Sequence, residues 1–251
     1  MIGCYTLFKK EMARFGKVWF QTVLSPIVTA MLYLMVFSQV LEGRVEVFDG
    51  ISYTEFLIPG LLMMTVIQNA FANSSSSLIQ SKTLGNLLFI LVAPISTFQI
   101  FLAYTAAAVA RGLIVGLGVL LIALLYVKVP VYNFGIILLF AISSSAVLGA
   151  LGIIAGIWAD KFDQMAAFQN FIIVPLSFLS GVFYSIHSLT GIWQTLSHFN
   201  PFLYMIDGFR YGFFGTSDVP VETSFTVVLV ALFVLSAISY RIIDTGYKLR
   251  Q

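Results

Sequence analysis

The residues of this chain that could carry out chemistry are few, and their spacing argues against catalysis. His187 and His198 stand eleven residues apart, with no Cys, Asp or Glu at the spacing of a metal-ligand set. The single cysteine, Cys4, excludes an intrachain disulfide and a cysteine-built metal site. No Ser-His-Asp arrangement can be argued from spacing. A phosphate-binding G-x-x-x-x-G-K-[ST] loop is absent: the one Gly-Lys pair, Gly16-Lys17, is followed by Val18. The expectation is no enzyme, no metal and no cofactor held by this chain.

What remains is polar chemistry inside apolar surroundings. The second apolar stretch ends in Gln68, Asn69, Asn73, Ser74, Ser75, Ser76, Ser77 and Gln80. Asn69, Asn73 and Ser77 share one helix face by the i, i+4 rule. Such groups usually hydrogen-bond to neighbouring helices, at about 0.6 kcal/mol each. That reading is favoured, with a polar wall of a substrate path as the functional alternative. Arg111 falls within the third stretch, where an arginine costs roughly 2.5–3.5 kcal/mol on insertion scales. No acidic residue lies within one turn of it, so any partner must come from another helix. A structural anchor is its preferred role, and a substrate contact the alternative.

These residues need a membrane-embedded frame. Charged residues are 10% of the chain and apolar residues 59%, against about 25% charged in soluble domains. The chain therefore reads as an all-α polytopic membrane protein, a single transmembrane domain over 1–251. The net charge of +2 gives no basic patch for nucleic acid. Six apolar stretches, at 20–40, 56–78, 98–127, 134–158, 164–183 and 225–243, meet or approach the ~20 residues a spanning helix needs. The third is the longest and must tilt or protrude. No A-x-A-like site follows the first stretch, so a cleaved signal peptide is not expected. Residues 1–19 carry Phe8, Met12, Phe15 and Trp19 at helical spacing among Lys9, Lys10, Arg14 and Lys17, which predicts a basic interfacial helix, with a basic flank that merely orients the first span as an equal alternative.

Lys and Arg set the orientation. With the N-terminus inside, Lys9, Lys10, Arg14, Lys17, Lys82, Lys161, Arg241, Lys248 and Arg250 lie inside. Arg44, Lys128 and Arg210 lie outside. Both termini are then cytoplasmic, and the acidic outer loop holds Glu42, Glu46, Asp49 and Glu55. Gly112-xxx-Gly116 and the set Gly149, Gly152, Gly156 let helices approach closely, with packing inside the subunit as the default and a dimer contact as the alternative. Asp160, Lys161 and Asp163 make an inner turn with no further role assigned.

Two segments depart from plain spans. From Asp163 to Gly215 a spanning run is interrupted by Pro175 and Gly181. It continues as Trp193, Leu196, Phe199, Phe202, Leu203 and Ile206 interleaved with Ser188, Thr190, Gln194, His198, Asn200, Asp207 and Arg210. That pattern suits re-entrant helices between the fifth and sixth spans, tolerated where they pack on protein or line a cavity. The second segment, Gln80 to Ser96, sets Lys82, Thr83, Gly85 and Asn86 beside Leu84, Leu87, Leu88 and Leu91 at helical spacing. Pro94 ends it.

Here a resemblance enters. Pro175, then Leu179-Ser180-Gly181, Phe183-Tyr184, Asn200-Pro201 and Phe209-Arg210 fall in the order of the terminal signature of ABC-2 type transporter permeases. The YadH-type bacterial inner-membrane members are the most similar. The resemblance implies the ABC-2 exporter fold in a bacterial inner membrane. It implies two chains paired with each other and with two separate ATPase subunits, which would hold ATP and Mg. It makes the loop at Lys82, Thr83, Leu84, Gly85, Leu87, Leu88, Leu91 and Pro94 the coupling helix, docked as a helix in a groove of the ATPase. The substrate would be a drug, lipid or glycan-like molecule moved outward; 24 Phe and 11 Tyr suit all three. The alternative of another class is an ion-coupled carrier or channel without an ATPase. The absence of Asp and Glu from the cores of the first four spans and the sixth counts against proton coupling.

Overall fold

The computed structural model describes residues 2–41, 43, 47–48 and 50–249. Glu42, Arg44, Glu46 and Asp49 of the outer loop, and Arg250, lie outside the described residues. Within them the chain is helical, with one isolated bridge between Phe48 and Ile51. The helices are α1 (Ile2–Lys17), α2 (Ser25–Leu41), α3 (Tyr53–Thr83), α4 (Leu87–Val92), α5 (Thr97–Ala123), α6 (Phe134–Trp158), α7 (Phe162–Phe168), α8 (Val174–Phe178), α9 (Ile192–His198), α10 (Pro201–Phe214) and α11 (Val221–Thr245). A π-turn, Phe20–Leu24, leads into α2, and a second, Gln169–Ile173, joins α7 to α8.

Among the described residues five helices are long and apolar enough to cross a membrane: Phe20–Leu41, α3, α5, α6 and α11. The fifth predicted span is helical in pieces of seven, five and five residues and stops at Phe178. Gly181, at φ 75°, then turns the chain through a left-handed conformation open to glycine. The longest helix is α3, with 31 residues, and not the third span, which ends at Ala123 after 27. The Leu124 N–H closes that end onto Leu120 and Ile122.

Local rules explain the boundaries. α3 starts at a reciprocal cap: Ser52 Oγ accepts from Glu55 N–H, and Glu55 accepts from Ser52 N–H at 2.9 Å. Ser96 and Gln99 repeat the device at α5. Both are S-x-x-E/Q boxes, legible in the sequence although the spans were delimited by hydropathy alone. Each π-turn lies just ahead of a proline, Pro26 or Pro175. A proline removes one i−4 hydrogen bond and crowds that carbonyl, and a wider turn relieves both.

α3 is the hub, packed mainly on α6 and α5, with α2 and α10 on its remaining sides. Glycines permit the approach. A Cβ on Gly152 would stand 2.5 Å from Phe71 O, on Gly156 2.9 Å from Ser75 O, and on Gly112 3.0 Å from Val66 O. Both glycine sets are therefore consumed by packing inside one chain, Gly112, Gly116, Gly152 and Gly156 against α3 and Gly149 against Ala108 of α5. α1 buries Leu7, Glu11 and Phe15, while Trp19 stays exposed. The buried face is thus rotated from the apolar spacing at 8, 12, 15 and 19, and it includes a carboxylate.

Candidate functional site

Three places gather the polar residues. The first is a knot around the break after α8. Arg210, 1% exposed, donates from Nη2 to Gly181 O at 2.7 Å, and its guanidinium lies 3.8 Å from the centre of the Phe56 ring. Asp207 accepts from the N–H groups of Asp218 and Val219, both at 2.9 Å. Asp218 in turn accepts from Ser185 Oγ and from Ile186 N–H. Asn200 caps α10 through Phe202 N–H, and its Nδ2 reaches Leu176 O at 2.7 Å. Ser180 Oγ donates to Ser177 O, Tyr184 Oη to Phe178 O, and Tyr53 Oη to Phe183 O. Pro175 and Pro201 sit in the first turns of α8 and α10, where no N–H is needed. The whole predicted motif, Pro175, Ser180, Gly181, Phe183, Tyr184, Asn200, Pro201 and Arg210, is thus drawn into one assembly. Asp218, which carries its far side, was not anticipated. His187 is exposed and 4.0 Å from Asp218, His198 is exposed, and no metal-ligand cluster occurs among the described residues.

The second place is a cleft of about 510 Å³ between α1, α2, α3 and α7. Thr65, Gln68, Asn69, Ala72 and Ser76 of α3 line it, facing Gln21, Ser25 and Thr29 of the first span and Gln169 of the second π-turn. The predicted face divides here. Asn69 lies on the cleft. Asn73 and Ser77, each 1% exposed, do not line it. Asn73 instead receives Arg14 Nη2 on its carbonyl at 2.9 Å and on Oδ1 at 3.1 Å. Arg14 also donates to Ser76 Oγ and to Glu11, which Lys10 holds from the other side at 2.8 Å. α1 is thereby bolted to the end of α3. Arg111 is buried beside this junction, its Nη2 3.3 Å from Asn69 Oδ1 and its guanidinium 5.7 Å from the centre of the Phe15 ring. The partner does come from another helix.

The third place is the loop between α3 and α5. Its polar residues turn inward. Lys82 donates to Ile157 O (2.9 Å), Ala159 O (2.7 Å) and Asp160 Oδ1 (3.0 Å), neutralising the C-terminal end of α6. Lys248 takes Trp158 O and the other Asp160 oxygen. These lysine hydrogen bonds, Lys248 first, hold the Asp160 carboxyl below its ordinary value. Asp160, which had no role in the sequence reading, therefore clasps three segments. Thr83 Oγ1 bonds back to Ile79 O, and Gly85 turns at φ 72°. The apolar set also divides. Leu87 is buried and Leu91 half-buried, packed with Leu7, Leu78, Ile153 and Leu249. Leu84 (63% exposed), Leu88 (60%), Phe89 (75%) and Val92 (76%) face outward, and Pro94 follows, exposed. Phe89 and Val92 were missed because the leucine spacing at 84, 87, 88 and 91 groups outward and inward residues alike and passes over these two.

Comparison with known proteins agrees with this layout. The family model for ABC-2 type transporters matches residues 3–214. The inner membrane transport permease YadH of Escherichia coli K12 is 39% identical over 249 residues, covering 99% of this chain and 97% of the relative. Nodulation protein J of Rhizobium leguminosarum bv. viciae is 26% identical over 176 residues, covering 68% and 65%. The same-named protein of Rhizobium meliloti is 22% identical over 209 residues, covering 81% and 78%. A family match over most of the chain, and a transport permease alignable almost end to end, agree with five helices among the described residues that are long and apolar enough to cross a membrane: this chain belongs to the ABC-2 type transporter family of membrane permeases.

Proposed function

We propose that this permease is the passive transmembrane half of an exporter driven by a separate ATP-binding subunit. The observation that carries the reading is the exposed shelf of Leu84, at the end of α3, with Leu88, Phe89 and Val92 of the short helix α4, next to the Lys82 clasp to the bundle. Exposed apolar patches of this kind mark interaction sites, and a short helix is the element that seats in a partner's groove. Lys82, Thr83, Gly85, Leu87, Leu91 and Pro94 then shape and brace the coupling loop from behind. ATP and Mg belong to the partner, which docks in two copies on two permease chains. The broken 162–178 run forms the fifth of six crossings, α9 and α10 are the re-entrant helices between it and α11, and the chain sits in a bacterial inner membrane with both termini on the cytoplasmic side.

Movement of the shelf reaches the cleft directly, since α3 runs from Thr83 at the loop to Asn69 at the cleft wall. Substrate is released outward past the Gly181 knot. The permease breaks no bond; it offers two states of different affinity, which is all that coupling requires. The test is reconstitution in vesicles of the permease alone and with its candidate ATPase. ATP-dependent movement of a fluorescent lipid or drug is expected only when both are present. Uphill accumulation by the permease alone, driven by an ion gradient, would favour the carrier reading.

A further inference from the structure

We propose that the cleft between α2, α3 and α7 takes an anionic amphiphile, its phosphate or carboxylate head at Arg111 and its chain along Tyr33 and Met64. The inference rests on the permease reading and narrows its substrate class.

The cleft's charge is unbalanced. Arg111 is 7% exposed, lines the cleft, and makes one hydrogen bond among the described residues, to the neutral Asn69. Its Nε has no partner there, and no carboxylate stands within ion-pair distance of it among those residues. Glu11, the acid of this junction, is taken by Lys10 and Arg14 and does not line the cleft. Among the described residues no Asp or Glu lines it, whereas Arg14 does. A buried guanidinium left without a counter-ion is costly, and a phosphate or carboxylate is the ligand its planar fork fits best.

The lining also changes character along its length. Gln21, Ser25, Ser76 and Gln169 surround the end near Arg14 and Arg111; Ala30, Tyr33, Leu61 and Met64 line the end toward the outer side. A soluble anion has no use for the second half. A volume of about 510 Å³ suits a head group with part of a chain, and the exposed Gln21, Ser25 and Thr29 leave one side open for lateral entry.

The experiment uses the full permease in detergent, with fluorescent lysophosphatidate as probe and lysophosphatidylcholine and glycerol phosphate as competitors. Lysophosphatidate should bind about tenfold or more tightly than either, as a charge-assisted pair demands. Arg111→Gln should bring the ratio to lysophosphatidylcholine close to one, and Arg111→Lys should keep part of it. Should the Arg111 variants fail to fold, Gln68→Glu places a carboxylate in the cleft with little change of shape. It should weaken lysophosphatidate about tenfold and leave lysophosphatidylcholine unaltered. Equal affinity of wild type for the two lipids, or a preference that survives Arg111→Gln, would overturn the proposal. Glycerol phosphate binding as tightly as lysophosphatidate would overturn the amphiphile. Association with the ATPase, measured on the same preparation, fails only if the permease reading itself is wrong.

Discussion

The two ends of α3 meet opposite fates. At its start, Tyr53, Phe56 and Gly60 press into the knot of Arg210, Asp207 and Asp218, where charged groups are buried against backbone partners. At its finish, Lys82 clasps the bundle, and Leu84 with Leu88, Phe89 and Val92 of the next helix turn outward. The outer end spends its polar residues on holding the chain's own break closed. The inner end uses them to brace a surface that the chain itself leaves uncovered. On the proposed function one end serves stability and the other a partner, and substitutions should separate them.

The largest effect belongs to the outer end. Arg210→Met removes the charge-assisted bond to Gly181 O and the guanidinium's contact with the Phe56 ring, together a loss of roughly 3–5 kcal/mol. It should appear as a collapse of the thermal midpoint in detergent, whether or not an ATPase is present. Next, Leu88→Asp with Phe89→Asp should leave that midpoint nearly unchanged, within about 0.5 kcal/mol for exposed sites. The same pair should weaken ATPase association by about 2 kcal/mol or more, the size of an interface hot spot. Leu87→Asp, by contrast, should unfold the loop, since Leu87 is buried among Leu7, Leu78 and Leu249. Gly60→Ala comes third: its Cβ would stand 2.8 Å from Val182 O and 3.1 Å from Arg210 Nη2. An overpacking cost of about 1–3 kcal/mol is expected, measured by chemical unfolding.

The smallest effect is a pH dependence of the inner clasp. The Asp160 carboxyl is depressed in the folded protein by Lys248 and Lys82. Its contribution is therefore present above the ordinary carboxylate range and lost as pH falls through the depressed value. Hydrogen exchange at 157–160 and 246–249 should quicken on the acid side of about pH 4 in wild type. In Asp160→Asn it should already be quick at neutral pH, with no acid-side step.

Hydropathy made the frame legible: Phe134–Trp158 was delimited to the residue, and the first, second and last crossings within a few. The ordered signature from Pro175 to Arg210 was legible as a motif, and its residues do converge. What stayed hidden was direction. Period 3.6 groups Leu84, Leu87, Leu88 and Leu91 but does not say which of them looks inward. That was settled by Lys82, whose reach to the end of α6 rolls Leu87 and Leu91 under the helix. The same holds for Asn73 and Ser77: spacing placed them on one face with Asn69, with packing favoured over a path wall, and both lie off the cleft, Asn73 held by Arg14. Asp160 and Asp218 escaped notice because each works through contacts dozens of residues away.

The docking shelf is the claim on which the account turns. With Cys4 replaced by alanine, Phe89→Cys and, as a lipid-side control of equal exposure on α11, Phe233→Cys should be tested for cross-linking to the ATPase subunit in membranes. A cross-link from position 89 and none from 233 is the predicted result. Cross-linking from 233 with none from 89 would contradict it.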